Sequence, residues 1–237
     1  MDAFLYFAGN IHFIITCEVY IMKRSIKELC IRMFILFIGL CIAHFGVTLF
    51  LLADLGSDPF NVLVQGIFRT LQRMTGWEFL THGYTHIGIN LLIILILLFV
   101  DRTYIKIGTI FCMAFGGPII DFFTIILGGF LNAGNPFIIR LITLACGCLI
   151  LAYGMTVVMK SDAGTGPNDL VAIAISDKGH FPFGITRTVT DISFVLVGFL
   201  LGGKFGIGTI VCACLVGMIA ERFLPINEKI INRILKI

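Results

Sequence analysis

A polar segment broken by glycine and proline occurs twice in this chain, each time at the end of a long apolar run. The copies read GVTLFLLADLGSDPFNVL from Gly46 and GMTVVMKSDAGTGPNDLV from Gly154. At an offset of 108 residues, Arg32 meets Arg140, Gly39 meets Gly147, Thr48 meets Thr156, Asp54 meets Asp162, Gly56 meets Gly164 and Pro59 meets Pro167. The later part of each copy matches at an offset of 100: IGTI at 107–110 recurs at 207–210, Cys112 meets Cys212, and Asp121 meets Glu221. The first copy therefore carries eight extra residues, most simply placed around 75–84.

The surroundings decide the solvent. Hydrophobic residues make up 58% of the 237 and charged residues 13%, far from the roughly half-apolar, quarter-charged average of soluble domains. Such a chain is expected to be all-α and polytopic in a membrane. Six segments are long and apolar enough to suggest spans of about 20 residues: 33–53, 85–100, 107–128, 138–159, 186–201 and 206–221. They use up the chain and leave no room for a soluble domain.

Two further helices start at Pro59 and Pro167, where a missing N–H is harmless. The second, ending near Asp177, reaches only about 16 Å at 1.5 Å per residue, well short of a hydrocarbon core about 30 Å thick. The first carries Gln65, Arg69, Gln72 and Arg73. Both are expected to be re-entrant or interfacial half-helices. Six spans then place thirteen basic residues on the side of the termini and four opposite, a positive-inside bias that puts both termini in the cytoplasm. Eight spans give the same split, so helix length, not charge, argues for six. Three spans per copy make the copies inverted, with a pseudo-two-fold axis in the membrane plane.

The expected organisation is an N-terminal segment 1–30, a first repeat 31–128, a second repeat 138–224 and an amphipathic cytoplasmic tail 225–237, all one membrane domain. Residues 1–21 lack the basic start and small-residue cleavage site of a signal peptide, and a translation start at Met22, before KRSIKELCIR, fits a first span entered from the cytoplasm.

Polar groups inside the apolar chain are the candidates for function. Glycine and proline break the helix, and the half-helix that follows offers unpaired N–H groups and a positive dipole end. Asp54, Gly56, Ser57, Asp58, Pro59 and Asn61 in one copy, with Asp162, Gly164, Thr165, Pro167, Asn168 and Asp169 in the other, are therefore candidate contacts for a small solute or ion. A capped turn would use the same residue types without binding anything. Asp121 and Glu221 are candidate ion- or proton-coupling acids, since a carboxylate at membrane depth is costly unless paired, hydrated or protonated. Both could equally lie near a helix end and reach water. His44, Asn90 and Asp191 are single polar groups of the kind that hydrogen-bond between membrane helices.

Glu78, His82 and His86 are spaced by four, as metal ligands on a helix can be, but Gly83 and the turn-like THGY weaken such a helix and no metal or cofactor is expected. The eight cysteines fall mostly in apolar stretches, contain no Cys-x-x-Cys pair and read as small buried side chains. No phosphate loop, Gly-x-Ser-x-Gly or His-Glu-x-x-His is found, so no enzyme activity is expected. The 17 Lys and Arg are dispersed, which argues against nucleic acid as a partner. The expected partners are the lipid bilayer and a small solute or ion; the rival role is a membrane accessory or sensor protein that docks a partner through its loops and tail.

The pattern GSDPFNVLxxG, then GTxxxxxxxGPxIDxF, then GTGPNDLVAIAI followed by GxGT, resembles the YczE/YyaS/YitT group of bacterial integral membrane proteins over about 31–224. The resemblance implies a small protein of the bacterial cell membrane and carries no site residues with it. Phe60-Asn61 stands where that pattern often has Trp-Asp, and residues 1–21 have no counterpart in it.

Overall fold

A computed structural model describes residues 25–56, 58–77, 80 and 82–235, with the backbone alone at 82 and 83. The described residues form eight helices and one 3-10 turn. They are α1 (Ile26–Ala53), α2 (Pro59–Thr75), α3 (His82–Val100), α4 (Ile107–Leu127), α5 (Phe137–Ser161), α6 (Pro167–Gly179), α7 (Phe183–Leu200) and α8 (Ile207–Leu235), with the turn at Arg102–Tyr104.

Helices α1, α4, α5, α7 and α8 are long and apolar enough to cross a membrane, and α3 adds a shorter apolar stretch, Tyr84–Val100. Large apolar side chains cover the outside: Ile125 is 82% exposed and Leu200 74%. Facing water, such a surface would be an aggregation hazard; facing lipid tails, it is at home. The chain is a polytopic, all-helical membrane protein.

At the centre α1 and α5 cross as an antiparallel pair with almost no gap. A Cβ on Gly39 would lie 2.9 Å from Val157 Cγ1, one on Gly154 2.6 Å from Ala43 Cα, one on Gly46 2.9 Å from Leu151 Cα and one on Gly147 3.0 Å from Phe50 N. Partners on α5 fall in number as those on α1 rise, which fixes the antiparallel sense. Small residues let membrane helices approach closely enough for dispersion to hold them.

The two helices also end alike. Asp54 and Asp162 take left-handed backbone at φ 48° and 57°, which stops each helix, and Gly56 and Gly164 follow at φ 146° and 140°, a region that side chains exclude. Those extended turns are the seats for two other helices. Gly208 N–H, at the start of α8, donates to Leu55 O at 2.9 Å, and Gly108 N–H, at the start of α4, donates to Ala163 O at 2.9 Å.

The rest packs around this frame. Phe50, Leu144, Cys148, Ala152, Cys212 and Val216 form the largest core between α1, α5 and α8. Leu36, Leu40, Cys112, Val158 and Ala163 seat α4 on α1. Helix α2 lies along α7, where Thr70 Oγ1 donates to Leu201 O at 2.9 Å, and α6 packs on α3 through Leu97, Leu170 and Ala174.

Several boundaries differ from the sequence expectation. Helix α1 begins at Ile26, seven residues ahead of the expected 33. Helix α8 runs unbroken through Pro225 to Leu235, so the segment expected as a separate tail continues a core helix. Proline is tolerated in such helices because neighbours satisfy the freed carbonyl groups. Ile231 is buried against Ile35 and Val157, and Asn227 Nδ2 donates to Thr156 Oγ1 at 2.6 Å. The extra residues of the first copy are shared between helix and linker, since α2 has 17 residues and α6 has 13. The possible start at Met22 lies outside the described residues.

Candidate functional site

The two copies of the motif divide their residues between support and site. Asp54 and Asp162 belong to the support. Arg140, in the first turn of α5, donates through Nε to Ala53 O at 2.7 Å and reaches Asp54 with Nη2. Arg32, in the second turn of α1, donates to Ser161 O at 3.1 Å and lies 3.8 Å from Asp162, which Lys106 also pairs. Cations at helix C-termini neutralise the negative dipole end, so both arginines fasten α1 to α5 from opposite ends. The acids expected to contact solute are held by these clamps.

Asp58 and Asp169 belong to the candidate site. Asp58 is the N-cap of α2: it accepts the Asn61 N–H at 3.1 Å and is also bonded by the Asn61 amide. Asp169, in the first turn of α6, binds Arg187 Nη1 at 2.6 Å. Arg187 donates its Nε to Asp191 at 2.9 Å, one turn further along α7. Phe60 of α2 meets Phe194 of α7 with ring centroids 5.6 Å apart, which brings the start of α2 to the same stretch of α7. The starts of α2 and α6 thus both come to 187–194 of α7.

Arg187 is 8% exposed and Asp191 fully buried. Burying charge is costly unless it is paired, and two carboxylates here, Asp169 and Asp191, share one guanidinium. Two oxygens nearby are left over. Asp191 Oδ1 is sealed from solvent with no hydrogen-bond partner, as is Asn90 Oδ1. Asn90 shares a face of α3 with His86, which meets Phe60, and with Leu97, which packs on Leu170. That face therefore lies along the starts of both short helices.

The remaining candidates fall elsewhere. Pro59 and Pro167 occupy the first positions of their helices. Thr165 is buried with its hydroxyl unpartnered. A Cβ on Gly166 would lie 2.9 Å from Asn168 Oδ1. Ser57, Glu78 and the side chain of His82 lie outside the described residues. His86 is bonded to Asn90 at 3.1 Å. Among the described residues no three His, Cys, Asp or Glu side chains converge as a metal site would require. Asp121 is exposed on α4. Glu221 is exposed and rests over Gly184 in the first turn of α7, where the dipole favours a carboxylate.

Sequence reasoning missed Arg187, counting it among the cytoplasmic basic residues. Its spacing of four from Asp191 was the available signal, since that spacing lets an arginine and a carboxylate pair along one helix face.

Comparison with known proteins identifies the family. A family of unknown function, DUF6198, matches residues 30–225. The chain belongs to that family. It is 29% identical over 207 residues to the uncharacterized membrane protein YczE of Bacillus subtilis, covering 87% of this chain and 91% of the relative. An uncharacterized protein of Haemophilus influenzae is 29% identical over 199 residues, 83% of this chain and 84% of its own. The uncharacterized protein YyaS of Bacillus subtilis is 27% identical over 193 residues, 81% and 92%. The likeness to YczE and YyaS read from the motifs therefore holds. No solved structure matches.

Proposed function

We propose that this protein carries a small solute or ion across a bacterial cell membrane, binding it where α2 and α6 begin beside Arg187. In this reading α1, α3, α4, α5, α7 and α8 are six spans, α2 and α6 are re-entrant, both termini are cytoplasmic, and 31–128 and 138–224 are inverted repeats. One observation carries it: Arg32 and Arg140, matched at the 108-residue offset, each clamp the end of the other's helix across an antiparallel pair. Matched helices that run antiparallel are what an inverted duplication puts at its axis, and transporters of that design bind substrate between the repeats. The lengths of α2 and α6, about 26 Å and 20 Å at 1.5 Å per residue, favour helices that enter and return. Bacterial relatives favour the location. The tail's use of Asn227 and Ile231 within the chain speaks against the rival role of docking a partner through it.

Two measurements test the reading. In a cysteine-free background, Asn132→Cys is expected to react with an impermeant maleimide from outside the cell and Thr103→Cys is not; eight spans would bring Thr103→Cys outside. Purified protein in liposomes is expected to give flux of at least one solute or ion, diminished by Asp58→Ala and Asn168→Ala. No flux of any solute or of protons, with cellular phenotype unchanged in those variants, defeats transport.

A further inference from the structure

We infer that the site takes a small cation bearing N–H donors, an ammonium of the primary-amine kind. This deepens the transport reading and rests on its site.

Charge is the first argument. Asp169 and Asp191 share a single guanidinium, so the junction is short of positive charge in a part of the protein where unbalanced charge is expensive. The left-over atoms are the second. Asp191 Oδ1 on α7 and Asn90 Oδ1 on α3 are both acceptors, both sealed and both unpartnered, and the two helices flank the starts of α2 and α6. A buried acceptor without a donor costs about 1 to 3 kcal/mol, and what relieves two of them is a ligand that donates. An anion would add acceptors to a site already rich in them.

The kind of cation follows from geometry. The acidic groups do not converge as ligands of a bare metal ion do. Arg187 shows what this surface holds instead: a cation bound through directed N–H groups to two separate carboxylates. The rings of Phe60 and Phe194 add faces that attract cations.

The test uses the full chain in detergent, with thermal unfolding followed in ammonium, methylammonium and ethylammonium chloride at constant ionic strength. Tetramethylammonium chloride, equal in charge but without N–H, and sodium chloride are the controls. A saturable rise in Tm with at least one of the first three, absent with both controls, is expected. Asn90→Ala is expected to move the half-saturation concentration at least tenfold upward without lowering Tm in the controls, and Asp191→Asn to abolish the effect. Because Asp191→Asn also strips Arg187 of a partner and can fail to fold, Asn90→Ala decides. Equal response to all five salts, a response to sodium alone, or a normal midpoint in Asn90→Ala overturns the inference. Solute flux in liposomes without ammonium-dependent stabilisation removes this inference alone, and ammonium-dependent stabilisation without any flux removes the transport reading alone.

Discussion

Arg187 on α7 binds Asp169 on α6 at 2.6 Å, so one guanidinium ties the start of a short helix to the middle of the protein. Its other partner, Asp191, is fully buried and cannot turn to water. Arg187→Met leaves that carboxylate uncompensated and is expected to cost about 3 to 5 kcal/mol of stability. Arg187→Met with Asp191→Leu removes both charges and is expected to recover more than half of the loss. Denaturant unfolding in micelles measures both. A double variant no more stable than the single one would mean that the pair is not the coupled unit.

The crossing of α1 and α5 gives a contrast between two glycines. A Cβ at Gly154 would sit 2.6 Å from Ala43 Cα, against backbone that cannot step aside, whereas a Cβ at Gly117 meets nothing within 4 Å. Gly154→Ala is expected to destabilise by about 1 to 3 kcal/mol through overpacking. Gly117→Ala is expected to be neutral or slightly stabilising, because alanine favours helix over glycine by about 1 kcal/mol. Comparable losses of Tm in both would show that helix approach is not what Gly154 permits.

The places where the sequence was readable are those where backbone chemistry speaks locally. Gly56 and Gly164 allow a φ that side chains exclude, and Pro59 and Pro167 fix φ and remove a donor, so the breaks after α1 and α5 and the starts of α2 and α6 fall where expected. Long-range partners left no such mark. Asp54 looked like a solute contact, and what holds it is Arg140, 86 residues away. Arg187 sat at the edge of an apolar run and looked like a loop cation; only the fold brings Asp169 to it. Residues 225–237 read as an amphipathic tail, but Asn227 and Ile231 pack onto α5 and carry the helix onward.

Outside the spanning helices, Asp101 has its carboxyl held below the usual carboxylate range by the Thr103 hydroxyl at 2.7 Å, then by the Thr103 N–H at 3.0 Å, with Lys178 3.6 Å away. The folded state therefore favours the ionised form. Its stabilising effect is complete above the ordinary carboxylate range, about pH 4, and fades as pH falls through the lowered value. Thr103→Val removes the first of these bonds, so wild type is expected to exceed the variant in Tm near neutral pH and to lose that lead in acid. A difference that is constant with pH would assign the effect to packing rather than to Asp101.

The last helix is held at its far end by one buried amide. Asn227 Nδ2 donates to Thr156 Oγ1 at 2.6 Å, while that hydroxyl donates to Tyr153 O at 2.7 Å, so the bond fixes α8 to the side of α5 beyond Pro225. Leucine at 227 has the same branched heavy-atom skeleton but cannot donate. Losing a buried bond of this kind costs about 1 to 3 kcal/mol, and the cost falls on local opening of the terminal turns rather than on the whole protein. Asn227→Leu is therefore expected to raise trypsin cleavage at the exposed Lys229 and Arg233 about tenfold or more, with little change in the global Tm, because cleavage tracks the open population when closing is fast. Cleavage at the wild-type rate would show that Ile231 against Ile35 and Val157 suffices to hold the helix down.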